Sequence, residues 1–461
     1  MSEITVWIEA ALAATVSDDC VVIVNDVSEA NLRWALNALT TNGQMHHRTA
    51  TVIAVVRPAG AGHAGVVSGV VGSAGDLLAL VAEADAAALV APPADDASPL
   101  PEPVRDADYL ADAVSTSIEV FAPLAQALGR SFADARARGH ELFGFAEHRY
   151  TTVWLATSAG ARRRYVEPMG RFELNAKHAD RIGSAWVGRA TTDFADVDGD
   201  ALYAEVSERL SWCETRLELP AGRYETILPP SAVADLMIYA YWTMNGRDAE
   251  EGRNVFAGSA RGATRVGERL GALPLRLSSG PGAAGLPGSP FVVATASEPG
   301  LVSVFDNGAP IEPTHWVDDG VLRRLVYPRS GARASGVPFA FPSQNLVVDA
   351  GSSTSLAELI ATTKRGLLLT TLWYIREVDA ETLLLTGLTR DGVYLVEDGT
   401  VVGMVNNFRF NESPVDLLKR ATAASVAEPC LCREWNDEFT YTVTPALRIP
   451  DFNMSTVSKA Y

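Results

Sequence analysis

Apolar and β-branched residues gather in two short runs near the start of the chain, residues 20–27 and 50–57, and both read as strands. Between them Asn42-Gly43 is a short-range turn signal, so a β-meander is expected to open the chain. The spacing then turns helical in AGDLLALVAEADAAAL, and a Pro- and Asp-rich loop follows over residues 92–108. Residues 109–148 read as a long amphipathic helical stretch interrupted at Pro123. Strands return from Tyr150, with turns expected at Gly160 and Gly170. An aspartate-rich cap then leads into a helix in DFADVDGDALYAEVSERLSWCET. The short strand in GRYETIL ends at Pro229-Pro230, where the character of the chain changes.

Beyond that point the pattern is strand-dominated and loop-rich. SSGPGAAGLPGSP is a flexible loop, hairpins are expected around Asn307-Gly308 and Asp398-Gly399, and PVDLLKRATAA is a late helix. The exception is SAVADLMIYAYWTMNG, residues 231–246. Ser231 is placed to cap a helix there and Asn245-Gly246 to stop it. Between them the segment is apolar all round, which predicts a buried helix. Its polar atoms fall on Asp235, Tyr239 and Thr243, spaced by four and so in one stripe that can touch a peptide or a neighbouring element. The expected fold is α+β with two domains. Residues 1–228 form an α/β domain of β-meander and amphipathic helices. Residues 229–461 form a strand-rich, barrel-like domain around the buried central helix.

Composition narrows the function. With 461 residues, 48% of them apolar and 20% charged, the chain is long enough for two globular cores. Its net charge of −18 opposes binding to nucleic acid or anionic membranes. The one dense basic run, RRR at residues 162–164, reads as a solvated strand edge. No apolar stretch is long enough to span a membrane, and the first twenty residues carry Glu3 and Glu9 in place of a basic leader, so a cytoplasmic protein is expected. Four cysteines do not make a disulfide framework.

Several chemical motifs fail on spacing. GPGAAG has the glycines of a dinucleotide loop but contains a proline and opens no helix. DVDGD begins like a calcium loop, yet Ala201 stands where the turn needs glycine and Ser207 where a bidentate glutamate is needed. His140 and His148 are too far apart to share a metal on one helix, and His46 and His47 alternate across a strand. Cys430 and Cys432 share one side of a strand and are weak metal candidates, because no further ligand lies nearby in sequence.

The second half resembles the TldD/PmbA (TldE) family of metallopeptidase-related proteins. The matching pieces occur in the family's order: GRYETILPPSAVADLMI, SVFDNGAPIEPTHWVDDGVLRRLVYPRSGARASG, NLVVDAGSSTSLAELIATTKRGLLLTTL, LTRDGVYLVEDGTVVGMVNNFRF and TPALRIPDFNMSTVS. TldD-type members carry H-E-x-x-x-H on the central helix and a later cysteine, understood to bind zinc. The resemblance puts Ile238, Tyr239 and Thr243 at the three motif positions, and Cys430 or Cys432 near the cysteine. It therefore implies a TldE/PmbA-type chain with no catalytic residue and no metal of its own. Zinc is expected only in a TldD-like paralogue with which the chain forms a heterodimer. The implied substrate is an unfolded or short peptide, lined in this chain by Asp235, Tyr239 and Thr243. Two other readings compete: a stand-alone peptide-binding or scaffold module, and an independent hydrolase assembled from Cys430, Cys432 and His315.

Overall fold

The computed structural model describes residues 2–179 and 182–458. The first half is built on one antiparallel sheet of strands β1 (Asp19–Ala35), β2 (Ala38–Val56), β3 (His63–Val70), β4 (His140–Thr157), β5 (Arg162–His178) and β6 (Ser184–Thr191), in the order β3-β2-β1-β4-β5-β6. Helices α1 (Glu3–Ala14), α2 (Ala74–Val90), α3 (Ala122–Arg138) and α4 (Gly199–Ser211) accompany it. The continuous apolar run of β1 has a direct cause. Cys20, Val22 and Val24 pack with α1 and α2, while Val21 and Ile23 pack on the other face against Phe291, Val304 and Phe305 of the second half. A strand covered on both faces needs no polar alternation.

Several local expectations shift. The turn of the β1–β2 hairpin is at Leu36-Asn37, with φ of 51° and 60°, and not at Asn42-Gly43, which pairs in mid-strand with Leu32 and Asn31. The Asn37 side chain donates to the His140 carbonyl at 2.7 Å and accepts from the Leu142 amide at 2.8 Å, so a distant strand fixes the turn. Pro123 starts α3 and does not interrupt it, and Gly139, left-handed at φ 71°, ends it. The residues after Gly139, expected as helix, begin β4. Gly170 lies inside β5, where an added Cβ would meet the Thr191 carbonyl at 2.7 Å. Two residues of the basic run, Arg163 and Arg164, are buried. Arg163 bonds Asp106 at 3.0 Å and the Gly308 carbonyl at 3.2 Å and stacks on Phe291, while Arg164 bonds Asp108 at 2.7 Å.

In the second half, among the described residues, the strands form a ten-stranded and a six-stranded sheet. The larger runs from Leu372–Asp379 at one edge to Arg216–Leu217 at the other and includes Gly222–Leu228. The two edge strands do not pair with each other, so the expected barrel-like closure is absent and the sheet is open. Asp398-Gly399 does turn a hairpin, but residues around Asn307 form a 3-10 turn with isolated bridges instead.

Helix α5 (Pro230–Trp242) is the expected central helix. Its Val233, Leu236, Met237, Ile238 and Tyr241 lie in the largest core, with Trp316, Leu346, Leu369 and Phe452. Burial of each such side chain contributes about 1.5–3 kcal/mol. Pro229, not Ser231, occupies the cap position, and no side chain caps the helix. Thr243 ends it. Asn245, expected as part of the stop, instead caps the next helix, Gly246–Glu250, by accepting from the Asp248 amide.

Candidate functional site

The last turns of α5 open onto a cleft of 530 Å³. Its floor is aromatic. Tyr239, Trp242 and Trp435 meet with ring centroids 5.7 Å (Tyr239–Trp435) and 5.2 Å (Trp242–Trp435) apart, and Trp242 is 37% exposed. One wall is the sheet edge at Ile375, Arg376 and Glu377; the other carries Glu298 and Leu301. Of the expected stripe, Tyr239 and Thr243 line this cleft. Thr243 spends its hydroxyl proton on the Tyr239 carbonyl at 2.9 Å.

Asp235 does not reach the cleft. It is fully buried, its Oδ1 accepts from the Glu434 amide at 2.8 Å, and its carbonyl accepts from the Trp435 indole at 2.9 Å. Its Oδ2 has no hydrogen-bond partner among the described residues. Burial, with the nearby Glu434 carboxylate, pushes the carboxyl well above its ordinary range, toward the neutral acid. The expected peptide-lining role therefore does not fit this residue. It anchors the loop that carries Trp435. Glu434, from that loop, accepts from the Tyr374 and Ile375 amides at 2.8 and 2.9 Å and ties the loop to the sheet edge.

The donor set does not fit a metal. Ile238 is apolar and buried in the core. Cys430 Sγ lies 3.2 Å from Thr442 Oγ1 and 3.3 Å from Thr444 Oγ1. Those hydroxyls give their protons to the Cys430 and Pro230 carbonyls, so the sulfur is the donor and keeps its proton. Cys432 Sγ donates to the Phe439 carbonyl at 3.0 Å. Burial raises both thiols. Metal ligation and nucleophilic attack both need the thiolate. Among the described residues no group of three or more His, Cys, Asp or Glu is placed to hold a metal ion.

The independent-hydrolase constellation also separates. His315 and Cys430 sit on strands four spacings apart in the six-stranded sheet, roughly 19 Å at the usual strand separation. His315 lines a different cleft with Arg323 and Arg324.

The sequence reading missed Trp242 as an exposed ring, and also Trp435, Glu298 and Glu434. Trp435 and Glu434 stand directly after the cysteines in EPCLCREW. Glu298 had no signal, because its turn is placed by tertiary contacts: the Asn245 side chain donates to the Pro299 carbonyl at 3.1 Å.

Comparison with known proteins agrees with this architecture. Residues 221–456 match the PmbA/TldA metallopeptidase C-terminal domain and residues 102–214 its central domain. No curated protein matches. Among solved structures, TldE from Thermococcus kodakarensis superposes with a TM-score of 0.77 at 15% identity, covering 98% of this chain and 99% of that one. A proposed modulator of DNA gyrase from Thermotoga maritima gives 0.75 at 14% identity, covering 98% and 99%. One from Bacteroides thetaiotaomicron gives 0.73 at 13%, covering 99% and 100%. At these identities the likeness is one of fold.

Proposed function

Because this chain belongs to the PmbA/TldA metallopeptidase family, we infer that it is the non-catalytic, TldE-like subunit of a two-chain peptidase whose TldD-like partner carries the zinc. One observation supports this reading: at the positions where the family resemblance puts the metal motif, the central helix has Ile238, Tyr239 and Thr243, and the segment beside it has the buried, hydrogen-bonded thiols of Cys430 and Cys432, where a metal would need imidazoles and a thiolate. Tyr239 stands where the resemblance puts the glutamate that would act as general base on a metal-bound water. The fold similarity to a protein named TldE supports the assignment.

The cleft supplies what such a subunit needs. Tyr239, Trp242 and Trp435 offer an aromatic floor beside a strand edge, which suits an unfolded or short peptide held in extended form. Four buried, free cysteines agree with a reducing, cytoplasmic setting. We assign the partner contact to the outer edge of β2. Over residues 38–47 no described strand pairs with it, no Lys, Arg, Asp or Glu protects it, and Leu39 and Met45 are exposed. An uncharged edge within a chain of net charge −18 lets another strand approach without local repulsion.

The test is peptide cleavage by this chain alone, by a TldD-like paralogue alone, and by the two together. The reading expects no cleavage by this chain and a marked gain when the two are mixed. Cleavage by this chain alone, or a mixture no better than the paralogue, contradicts it.

A further inference from the structure

The cleft over α5 does not end at Trp242. A second cavity of 490 Å³, lined by Tyr241, Phe341 and Phe439, shares Trp242, Glu298 and Leu301 with it. A third, also 490 Å³ and reaching Asp95 and Asp96 of the first half, shares Glu298 with both and Val302 with the second. The three adjoin at the turn of residues 298–302, as a groove in three sections. That turn is rigid. Glu298 and Val302 exchange backbone hydrogen bonds of 2.8 and 3.0 Å, and Gly300 sits so close to Asn245 that an added Cβ would lie 2.5 Å from Asn245 Oδ1.

The charges along this groove are lopsided. Its cations are already engaged: Arg247 with Glu251 at 2.9 Å, Arg253 with Glu251 at 2.6 Å, and Arg376 with Glu434 at 3.2 Å. By contrast Asp95, Glu298, Glu377 and Glu438 line it with no ion pair among the described residues. Unpaired carboxylates spread along an aromatic floor in a concave channel attract positive charge and stack the aliphatic stems and guanidinium planes that carry it.

We propose that this groove binds extended peptides rich in Lys and Arg, with Glu298 at its centre and Trp242 as the stacking surface. The occupant is an extended peptide and not a folded basic protein, because the three adjoining cavities, of 530, 490 and 490 Å³, lie in succession around the turn and each has room for a few side chains. The proposal rests on the peptide-holding role above and adds the class of peptide.

The experiment uses this chain alone. Fluorescence anisotropy compares two labelled twelve-residue peptides of equal length and apolar content, one with Lys and Arg, the other with Glu and Asp at the same positions. The basic peptide is expected to bind at least about tenfold more tightly in low salt, with the gap closing toward high salt as screening takes over. Glu298→Gln combined with Glu438→Gln should weaken the basic peptide several-fold at unchanged unfolding temperature, and Trp242→Ala should weaken both peptides. Equal binding of the two peptides, no binding of either, or an inert double glutamine variant overturns the proposal. Failure here leaves partner-dependent cleavage intact, and failure of that cleavage leaves a basic-peptide preference measurable, so the two fall separately.

Discussion

Asp306 carries a titration that shows how burial acts on a single side chain. It is fully buried, its Oδ2 accepts from the Arg329 amide at 2.9 Å, and its other oxygen has no hydrogen-bond partner among the described residues. Burial raises its carboxyl to about 6. Between about pH 4 and pH 6 the unfolded chain ionises this group while the folded one keeps the proton, so its stabilising contribution is full below pH 4 and lost as pH rises through 6. Asp306→Asn removes the titration. The unfolding temperature of Asp306→Asn relative to the parent should therefore climb between pH 4 and pH 6.5 and then level. A flat difference contradicts the raised carboxyl. Asp235 is read in the same way. Asp235→Asn keeps an acceptor for the Glu434 amide and should cost little. Asp235→Ala leaves that amide unpaired and should cost about 1–3 kcal/mol in denaturant melts. Equal cost for the two would show that the hydrogen bond does not matter. The sequence showed Asp235 as a polar position on an apolar helix. It could not show the direction the side chain faces, because the loop that buries it lies 199 residues away.

Among the elements, those with local causes were legible. Helix α2, with Ser73 accepting from the Asp76 amide, and α4, capped by Asp198, stand where the pattern puts them. So does α5 as a buried helix, although its caps differ. Elements placed by distant partners were not. The β1–β2 turn sits at Leu36-Asn37 because Asn37 is held by β4, and the helical reading of the residues after Gly139 overran a glycine that could have been taken as the end of α3. Burial of Arg163 and Arg164 depends on Asp106, Asp108 and Phe291, none adjacent in sequence. The β2 edge carries its own prediction. Thr41→Lys with Gln44→Lys adds like charges to an exposed strand, which should abolish association with a TldD-like chain in size-exclusion analysis. The unfolding free energy should move by no more than about 0.5 kcal/mol. An intact complex would remove that edge from the interface.

Across the whole molecule, the two halves share a core. The sheet face formed by Val21, Ile53 and Leu155 is covered by Phe291, Val304 and Phe305, and the Arg163 guanidinium crosses the seam to the Gly308 carbonyl at 3.2 Å. No described helix is long and apolar enough to cross a membrane. The molecule keeps the fold of the PmbA/TldA metallopeptidase family, and its central helix carries core residues and an aromatic floor; on the proposed reading the chemistry belongs to a second chain. The most direct measurement is elemental zinc with native mass analysis, on this chain purified alone and on its complex with a TldD-like paralogue. The account predicts a metal-free single chain and a complex holding zinc in proportion to the paralogue. Stoichiometric zinc on this chain alone, retained after dialysis and lost on Cys430→Ser or Cys432→Ser, would contradict it.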